Sequence, residues 1–235
     1  MLWRLKRLLR PLRPILLPIW RRVGPFIEPS RRRPANGPKA PVHAVGPRPS
    51  GLTPERPIRP IAKREFDAMA RAVPYYRGRW GYLSLACSEA GRLIDTYRLT
   101  SALELGAHLR SIVVGADVMD RRIPAELESE GKVVVHDATS VPWPIEDKGY
   151  DLFVALQVFE HLGTGQRAAF AEVRRVARHA VLSLPIDWVM DDPTNCHHQI
   201  SHERALSWFQ PTVPTRVVTD ASGRRKRVIY VFENL

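Results

Sequence analysis

Four carboxylates lie at or near the ends of short apolar runs. Glu104 stands in Ser101-Ala-Leu-Glu-Leu-Gly106, Asp117 and Asp120 close the run that begins at Ile112, and Asp137 follows Lys132-Val-Val-Val-His136. A carboxylate in such a place can hold an ammonium group or take two ribose hydroxyls. Gly106 lets the backbone pass close to a ligand. A fourth run, Tyr150-Asp-Leu-Phe-Val-Ala-Leu156, continues into Gln157-Val-Phe-Glu-His161. One solvated acid is common, but three successive runs that close on an acid form a pattern.

Histidines form a second group. Cys196-His197-His198 and His202 invite a metal. The spacing of His198-Gln-Ile-Ser-His202 is that of a metalloprotease helix, but Gln199 occupies the place of the general-base glutamate. Pro193 and a helix start at Ser201 put His198 outside that helix, so the two rings need not converge. No metal site is expected from this spacing. Cys87 and Cys196 are too few for a disulfide framework or a four-cysteine zinc site. The aromatic group Tyr75, Tyr76, Trp80 and Tyr82 reads as packing, and Arg224-Arg-Lys-Arg227 as a solvated loop.

The elements that must position these groups alternate. Residues 66–97 read as helix, interrupted at Pro74 and Gly78. Strand patterns follow at 101–106, 112–120, 132–136, 150–156 and 179–184. Helices are expected at 164–178 and 201–209, the second capped by Ser201. Two more strand patterns, 215–219 and 227–232, flank a hairpin turn at Asp220-Ala-Ser-Gly223. This order implies an α/β domain with a mostly parallel sheet and a C-terminal antiparallel hairpin. In such sheets ligands bind at the carboxyl ends of the strands, where the strand order reverses.

Charge divides the chain. Residues 1–65 carry 16 Lys and Arg against 3 acids, while the other 170 carry 20 against 21. The net charge of +12 therefore belongs to the head and says nothing about the chemistry of the body. Segment 29–62 is rich in Pro, Arg and Gly, has no hydrophobic period, and is expected to lack fixed structure. The expected division is a basic segment at 1–64 and a folded domain at 65–235. That domain comprises a helical cap at 66–98 and an α/β core at 99–235. Residues 1–23 alternate Leu2, Trp3, Leu5, Leu8 and Leu9 with Arg4, Lys6, Arg7 and Arg10. This suits an amphipathic segment on an anionic membrane surface, up to the interruptions at Pro11, Pro14 and Pro18. A targeting peptide and a basic tail without a partner are the other readings. The expected location is cytoplasmic, peripheral at the membrane. No run approaches 18 uninterrupted apolar residues.

Taken together, Ala102-Leu-Glu-Leu-Gly106, Val114-Gly-Ala-Asp117, Val134-Val-His-Asp137-Ala138 and Tyr150-Asp-Leu-Phe-Val-Ala-Leu156 resemble a class I S-adenosylmethionine-dependent methyltransferase. Trp143-Pro-Ile-Glu-Asp-Lys-Gly-Tyr-Asp151, followed by Val158-Phe-Glu-His-Leu162, is the most specific part. The resemblance spans residues 99–235 and implies a Rossmann-like sheet with S-adenosylmethionine as cofactor. It implies Glu104 and Gly106 near the methionine part, Asp117 or Asp120 on ribose, and Asp137 with Ala138 on the adenine side. Gln157 is a further expected cofactor contact. The resemblance also puts the acceptor pocket after the fifth strand. There His198 or His202 would take a proton from an acceptor hydroxyl, while His161 would line the cofactor pocket.

The chain departs from the family in its first loop, where Gly106 is followed by Ala107-His-Leu-Arg110 instead of further glycines. Only 12 residues separate Glu104 from Asp117, too few for a strand, a loop and a full crossover helix. The first helix must be shortened or replaced by a loop. Side-chain alternation lets only one of Asp117 and Asp120 point as the ribose ligand does, unless the chain bends between them. The expected function is methyl transfer, at oxygen, to a small-molecule, sugar or lipid-linked acceptor. The alternative is a methyltransferase-like module that binds a membrane or partner without catalysis. Nucleic acid is not expected, because the body is nearly neutral.

Overall fold

The apolar run at 150–156 becomes a strand covered on both faces, as a parallel sheet between helices requires. The computed structural model of the 235-residue chain describes residues 57–123, 127, 129, 131–220, 222 and 225–235. The amphipathic segment read at 1–23, the linker up to residue 56 and part of the hairpin turn lie outside the described residues. Among the described residues no helix is long and apolar enough to cross a membrane.

In chain order the elements are β1 (Arg59–Pro60), α1 (Lys63–Ala72), α2 (Trp80–Tyr97), β2 (Ala102–Leu105), β3 (Val113–Val114), β4 (Asp117–Asp120) and β5 (Val133–Val135). They continue as β6 (Tyr150–Leu156), α3 (Gln166–Val176), β7 (Ala177–Pro185), α4 (His202–Phe209), β8 (Arg216–Asp220) and β9 (Arg227–Phe232). Seven strands form one sheet in the order β5-β4-β2-β6-β7-β9-β8. The first five run parallel, and β9 and β8 close the edge antiparallel. This is the α/β fold with a C-terminal hairpin that the strand pattern implies.

Alternation along the strands builds two cores. Phe153 and Ala155 join Leu103, Leu105, Phe170 and Phe209 under α3 and α4. Leu152 and Val154 point the other way, to Leu83, Leu93 and Val181 under α1 and α2. Helix α4 begins where Ser201 Oγ accepts from Arg204 N at 3.1 Å, as the capping residue predicts.

Two differences from the sequence reading stand at the start of the domain. Residues 57–62 belong to the fold: Ile58 and Ile61 are buried, and β1 pairs antiparallel with β3. The expectation that 29–62 lacks fixed structure therefore fails at residues 57–62, and the folded domain begins before residue 65. The physical reason is tertiary. The loop from β2 to β4 holds no helix, as its length requires, and instead offers the edge of β3 to Arg59–Pro60.

At the amino end of the sheet Asp151 ties β6 to the entry of β2. Its Oδ2 accepts from Thr100 N at 2.9 Å and from Thr100 Oγ1, Ser101 N and Ser101 Oγ at 3.1 Å each. Partial burial pushes its pKa up, but these donors outweigh burial and hold it below the usual carboxylate range. Replacing Asp151 by Ala strands these donors at the end of the sheet. Asp151→Ala should cost about 2–3 kcal/mol in urea unfolding, while the folded fraction keeps its ligand binding at the opposite edge.

Candidate active site

The chain runs from β2 outward through β4 to β5, then returns to place β6 on the other side of β2. The strand order thus reverses between β2 and β6, and a crevice opens beyond their carboxyl ends. Gly106 leaves β2 with φ +77°, and its N–H donates to Met119 O at 2.9 Å. A Cβ on Gly106 would stand 2.7 Å from Val158 Cγ2 in the loop after β6. The two loops therefore close on each other at the reversal, and the left-handed backbone also favours glycine there.

Glu104 does not stand open to a ligand ammonium. It is 4% exposed, and its Oε2 accepts from Ser111 Oγ at 2.6 Å and Ile112 N at 2.8 Å. It pins the loop after Gly106. Burial pushes its carboxyl up to about 7, against the pull of those two donors. Leu109 N donates to Tyr76 OH at 3.0 Å, and Tyr75 stacks on His108 at 5.1 Å. The aromatic group that reads as packing thus fastens the segment before α2 to this loop.

Of the two ribose candidates, the structure rejects Asp117. It opens β4 at the amino edge, where it accepts from Lys132 N and Tyr150 OH, each at 2.7 Å. Asp120 closes β4 at the carboxyl edge, where it accepts from Arg122 N at 3.2 Å. Burial raises its pKa. Asp137 follows β5 at the same edge, its Oδ1 accepting from Thr139 N at 2.9 Å and Thr139 Oγ1 at 2.8 Å. Ala138 is buried beside it and its carbonyl accepts from Trp143 Nε1 at 3.1 Å. Gln157 leaves β6 with φ +58° and joins β7 through Gln157 N to Ser183 O at 3.0 Å and Nε2 to Ser183 Oγ at 3.2 Å.

The two candidate bases are both committed elsewhere. His198 Nδ1 accepts from Met190 N at 3.1 Å and braces its own loop. His202 stacks on Tyr230 and lies 2.9 Å from its hydroxyl. The structure instead brings together three other groups. His161 Nδ1 is 3.2 Å from Cys196 Sγ, which is 3.6 Å from His197 Nδ1. The neck of the loop that carries Cys196 and His197 is closed by Asp187 N to Ile200 O at 2.9 Å and Gln199 N to Trp188 O at 2.8 Å. Behind His197 lies Glu160, whose side chain is fully buried. Its carboxylate oxygens have no hydrogen-bond partner among the described residues, and Oε1 is 3.7 Å from His197 Nε2. Burial pushes Glu160 up to about 8. Loss of water around part of its ring and then the neighbouring His197 bring His161 down to about 4. Arg227 Nε is also buried without a hydrogen-bond partner among the described residues, with its guanidinium 4.6 Å from the Tyr82 ring and 4.8 Å from that of Trp188. Spacing along the chain hides this convergence, since 35 residues separate His161 from Cys196. The available signal is that Glu160-His161 and Cys196-His197 follow neighbouring parallel strands.

Residues 97–182 match a family model described as a methyltransferase domain. A search of curated proteins finds no match. Among solved structures, the N-methyltransferase NodS from Bradyrhizobium japonicum WM9, in complex with S-adenosyl-L-homocysteine, is 14% identical, with a TM-score of 0.48 over 73% of this chain and 97% of that one. A Burkholderia thailandensis 1,6-didemethyltoxoflavin-N1-methyltransferase is 11% identical, with a TM-score of 0.47 over 76% and 95% of the two chains. An S-adenosylmethionine-dependent methyltransferase from Aquifex aeolicus is 13% identical, with a TM-score of 0.41 over 56% and 81%.

The matched segment covers β2, β4, β5, β6 and the first part of β7, and with them the crevice between β2 and β6, and over that length it is similar to a methyltransferase domain. The motifs within it resemble the class I, S-adenosylmethionine-dependent kind. For such a cofactor the carboxyl edge offers Asp120, at the end of β4, and Asp137 with Ala138, one strand further out. Gly106 lets the loops after β2 and β6 approach each other, while Glu104 serves the loop.

A carboxyl whose folded pKa lies above its unfolded value keeps its proton in the native chain. Its contribution to stability is present below the unfolded pKa and is lost as pH rises through the folded one. For Glu104 that window runs from 4.5 to about 7. Glu104→Gln keeps an acceptor for Ser111 and Ile112 and removes the charge. Urea unfolding across this window should show the parent protein losing about 3 kcal/mol relative to the variant. Parallel pH curves for the two proteins would contradict the buried setting of Glu104.

Proposed function

We propose that the enzyme moves the methyl group to an oxygen of a small-molecule, sugar or lipid-linked acceptor, seated between the 158–161 turn and the 187–200 loop. The observation that carries this reading is Arg227 Nε, buried without a hydrogen-bond partner among the described residues, with its guanidinium over the rings of Trp188 and Tyr82. Buried polar atoms are costly to leave unpaired, and a polar acceptor can complete them. The aromatic faces suit the flat or apolar side of such a molecule. The alternation of Leu and Trp with Arg and Lys in residues 1–23 supports an acceptor met at a membrane surface.

Bound S-adenosylmethionine supplies a methyl carbon already activated by its sulfonium. What is asked of the chain is to hold donor and acceptor in line and to exclude water, which is catalysis by proximity. Asp120 and Asp137 would fix the nucleoside end. The turn after β6, packed against Gly106, would separate cofactor from acceptor. With His198 and His202 bracing the loop and the β9 tyrosine, neither is assigned a proton transfer.

S-adenosyl-L-homocysteine at about 100 times its dissociation constant should stabilise the protein by about 2.7 kcal/mol. For a domain of this size the melting temperature should rise by about 5–10 °C. Asp120→Ala should remove most of that shift. Asp117→Asn should lower the starting melting temperature, because it turns the acceptor of one of the Lys132 N and Tyr150 OH bonds into an amide donor, yet keep the shift. A shift lost in Asp117→Asn and kept in Asp120→Ala would reverse the assignment. Cofactor binding without methyl transfer to any oxygen-bearing acceptor would favour the non-catalytic binding module.

A further inference from the structure

We propose that His161, Cys196 and His197 bind one divalent transition-metal ion of the zinc class, with Glu160 as the carboxylate behind His197 and the fourth coordination position open. One ligand atom from each of the three residues lies within 4.8 Å of the others. In a tetrahedral zinc site the edge between an imidazole nitrogen and a thiolate sulfur is about 3.5 Å. The two such edges here are 3.2 Å, from His161 Nδ1, and 3.6 Å, from His197 Nδ1. A small rotation of the two rings, which meet edge to face with centroids 4.8 Å apart, completes the set.

The second, independent observation is Glu160. A metal-bound histidine usually gives its other ring N–H to a carboxylate, which fixes the tautomer and orients the ring. Glu160 is 3% exposed, has no hydrogen-bond partner among the described residues, and puts Oε1 3.7 Å from His197 Nε2, the nitrogen that faces away from Cys196. Such a carboxylate has no hydrogen-bond partner of its own among the described residues and is accounted for by an ion on the other nitrogen of the His197 ring. A dipositive ion, a thiolate and a carboxylate sum to zero charge, which is the condition for burying all three. Asn195 Oδ1, 2.8 Å from His197 Nδ1, would give up that contact to the ion and keep its bond from His197 N–H at 2.9 Å. Trp188 stacks on the His197 ring at 5.7 Å and limits its movement.

Three protein donors leave one position for water or a substrate oxygen, the arrangement of catalytic rather than structural zinc. His161 is the exposed member of the three, so solvent reaches the cluster from its side. Resting on the methyltransferase reading, the ion would hold the acceptor oxygen and ease loss of its proton to solvent water. This supplies what His198 and His202 do not.

The test uses the full chain without a histidine tag, stripped with chelator and titrated with cobalt(II) and zinc(II). One equivalent of cobalt should bind and show a thiolate-to-metal charge-transfer band, and zinc should displace it. Cys196→Ser should abolish the band, and His161→Ala should weaken cobalt binding. Glu160→Gln should keep one equivalent but bind it about 10–100-fold more weakly. Binding of S-adenosyl-L-homocysteine, measured on each variant, reports whether it has folded. No cobalt uptake by the parent protein, or a band unchanged in Cys196→Ser, overturns the site. Homocysteine-ligand binding without metal uptake overturns the metal alone. Metal uptake without that binding upholds the site and removes the methyltransferase reading.

Discussion

Eleven residues, Gly106 to Ala116, must carry the chain from the carboxyl end of β2 back to the amino end of β4. A parallel pair normally uses a helix for that return, and here there is no room for one. Much of the start of the domain follows from this constraint. The loop is drawn inward by the buried carboxylate of Glu104, which holds Ser111 and Ile112. Its β3 edge needs a partner, and Arg59–Pro60 supplies it. That pairing buries Ile58 and Ile61, and Arg59 then reaches Glu65 at the start of α1 at 2.8 Å. The short crossover thus recruits the residues before the first helix into the fold.

The same constraint moves the chemistry. A loop without a run of glycines has Ala107, His108 and Leu109 where a backbone cradle would lie, and Ala107 and Leu109 are buried. The acid on β2 becomes part of the scaffold. In the proposed function, recognition falls to the strands further out, where Asp120 and Asp137 stand at the edge, and to the opposite side, where the turns after β6 and β7 meet. The two sides touch at Gly106 and Val158, so the crevice has a fixed partition between them.

Strand β6 was legible residue for residue, because a strand covered on both faces reads as an unbroken apolar run between turns. The cap at Ser201 and both hairpin strands were legible for similarly local reasons. Asp117 and Asp120 were not separable, since both flank the same short strand and only its direction in the sheet tells the edges apart. Arg59–Pro60 carries no strand signal: proline lacks a donor, and the pairing exists only because β3 offers an edge. At the site, the histidine spacing that drew attention, His198 to His202, joins residues that do not meet. Cys196, His161 and His197 meet through the pairing of β6 with β7, which no spacing within one segment reveals.

Strand β9 runs against β7, so Arg227 pairs with Pro185 and Asp220. An antiparallel return brings the connection between β8 and β9 to the same rim as the loops after the parallel strands. That rim is therefore assembled from two kinds of material. One part is tied to the crossover and cannot change length without disturbing the domain start. The other comes from the hairpin, where Lys226 O accepts from Trp188 Nε1 at 2.6 Å and Arg225 lies over the Trp188 ring. Divergence among descendants of this chain can retune the company Arg227 keeps with Trp188 and Tyr82 through the hairpin tip alone, leaving the nucleoside side untouched.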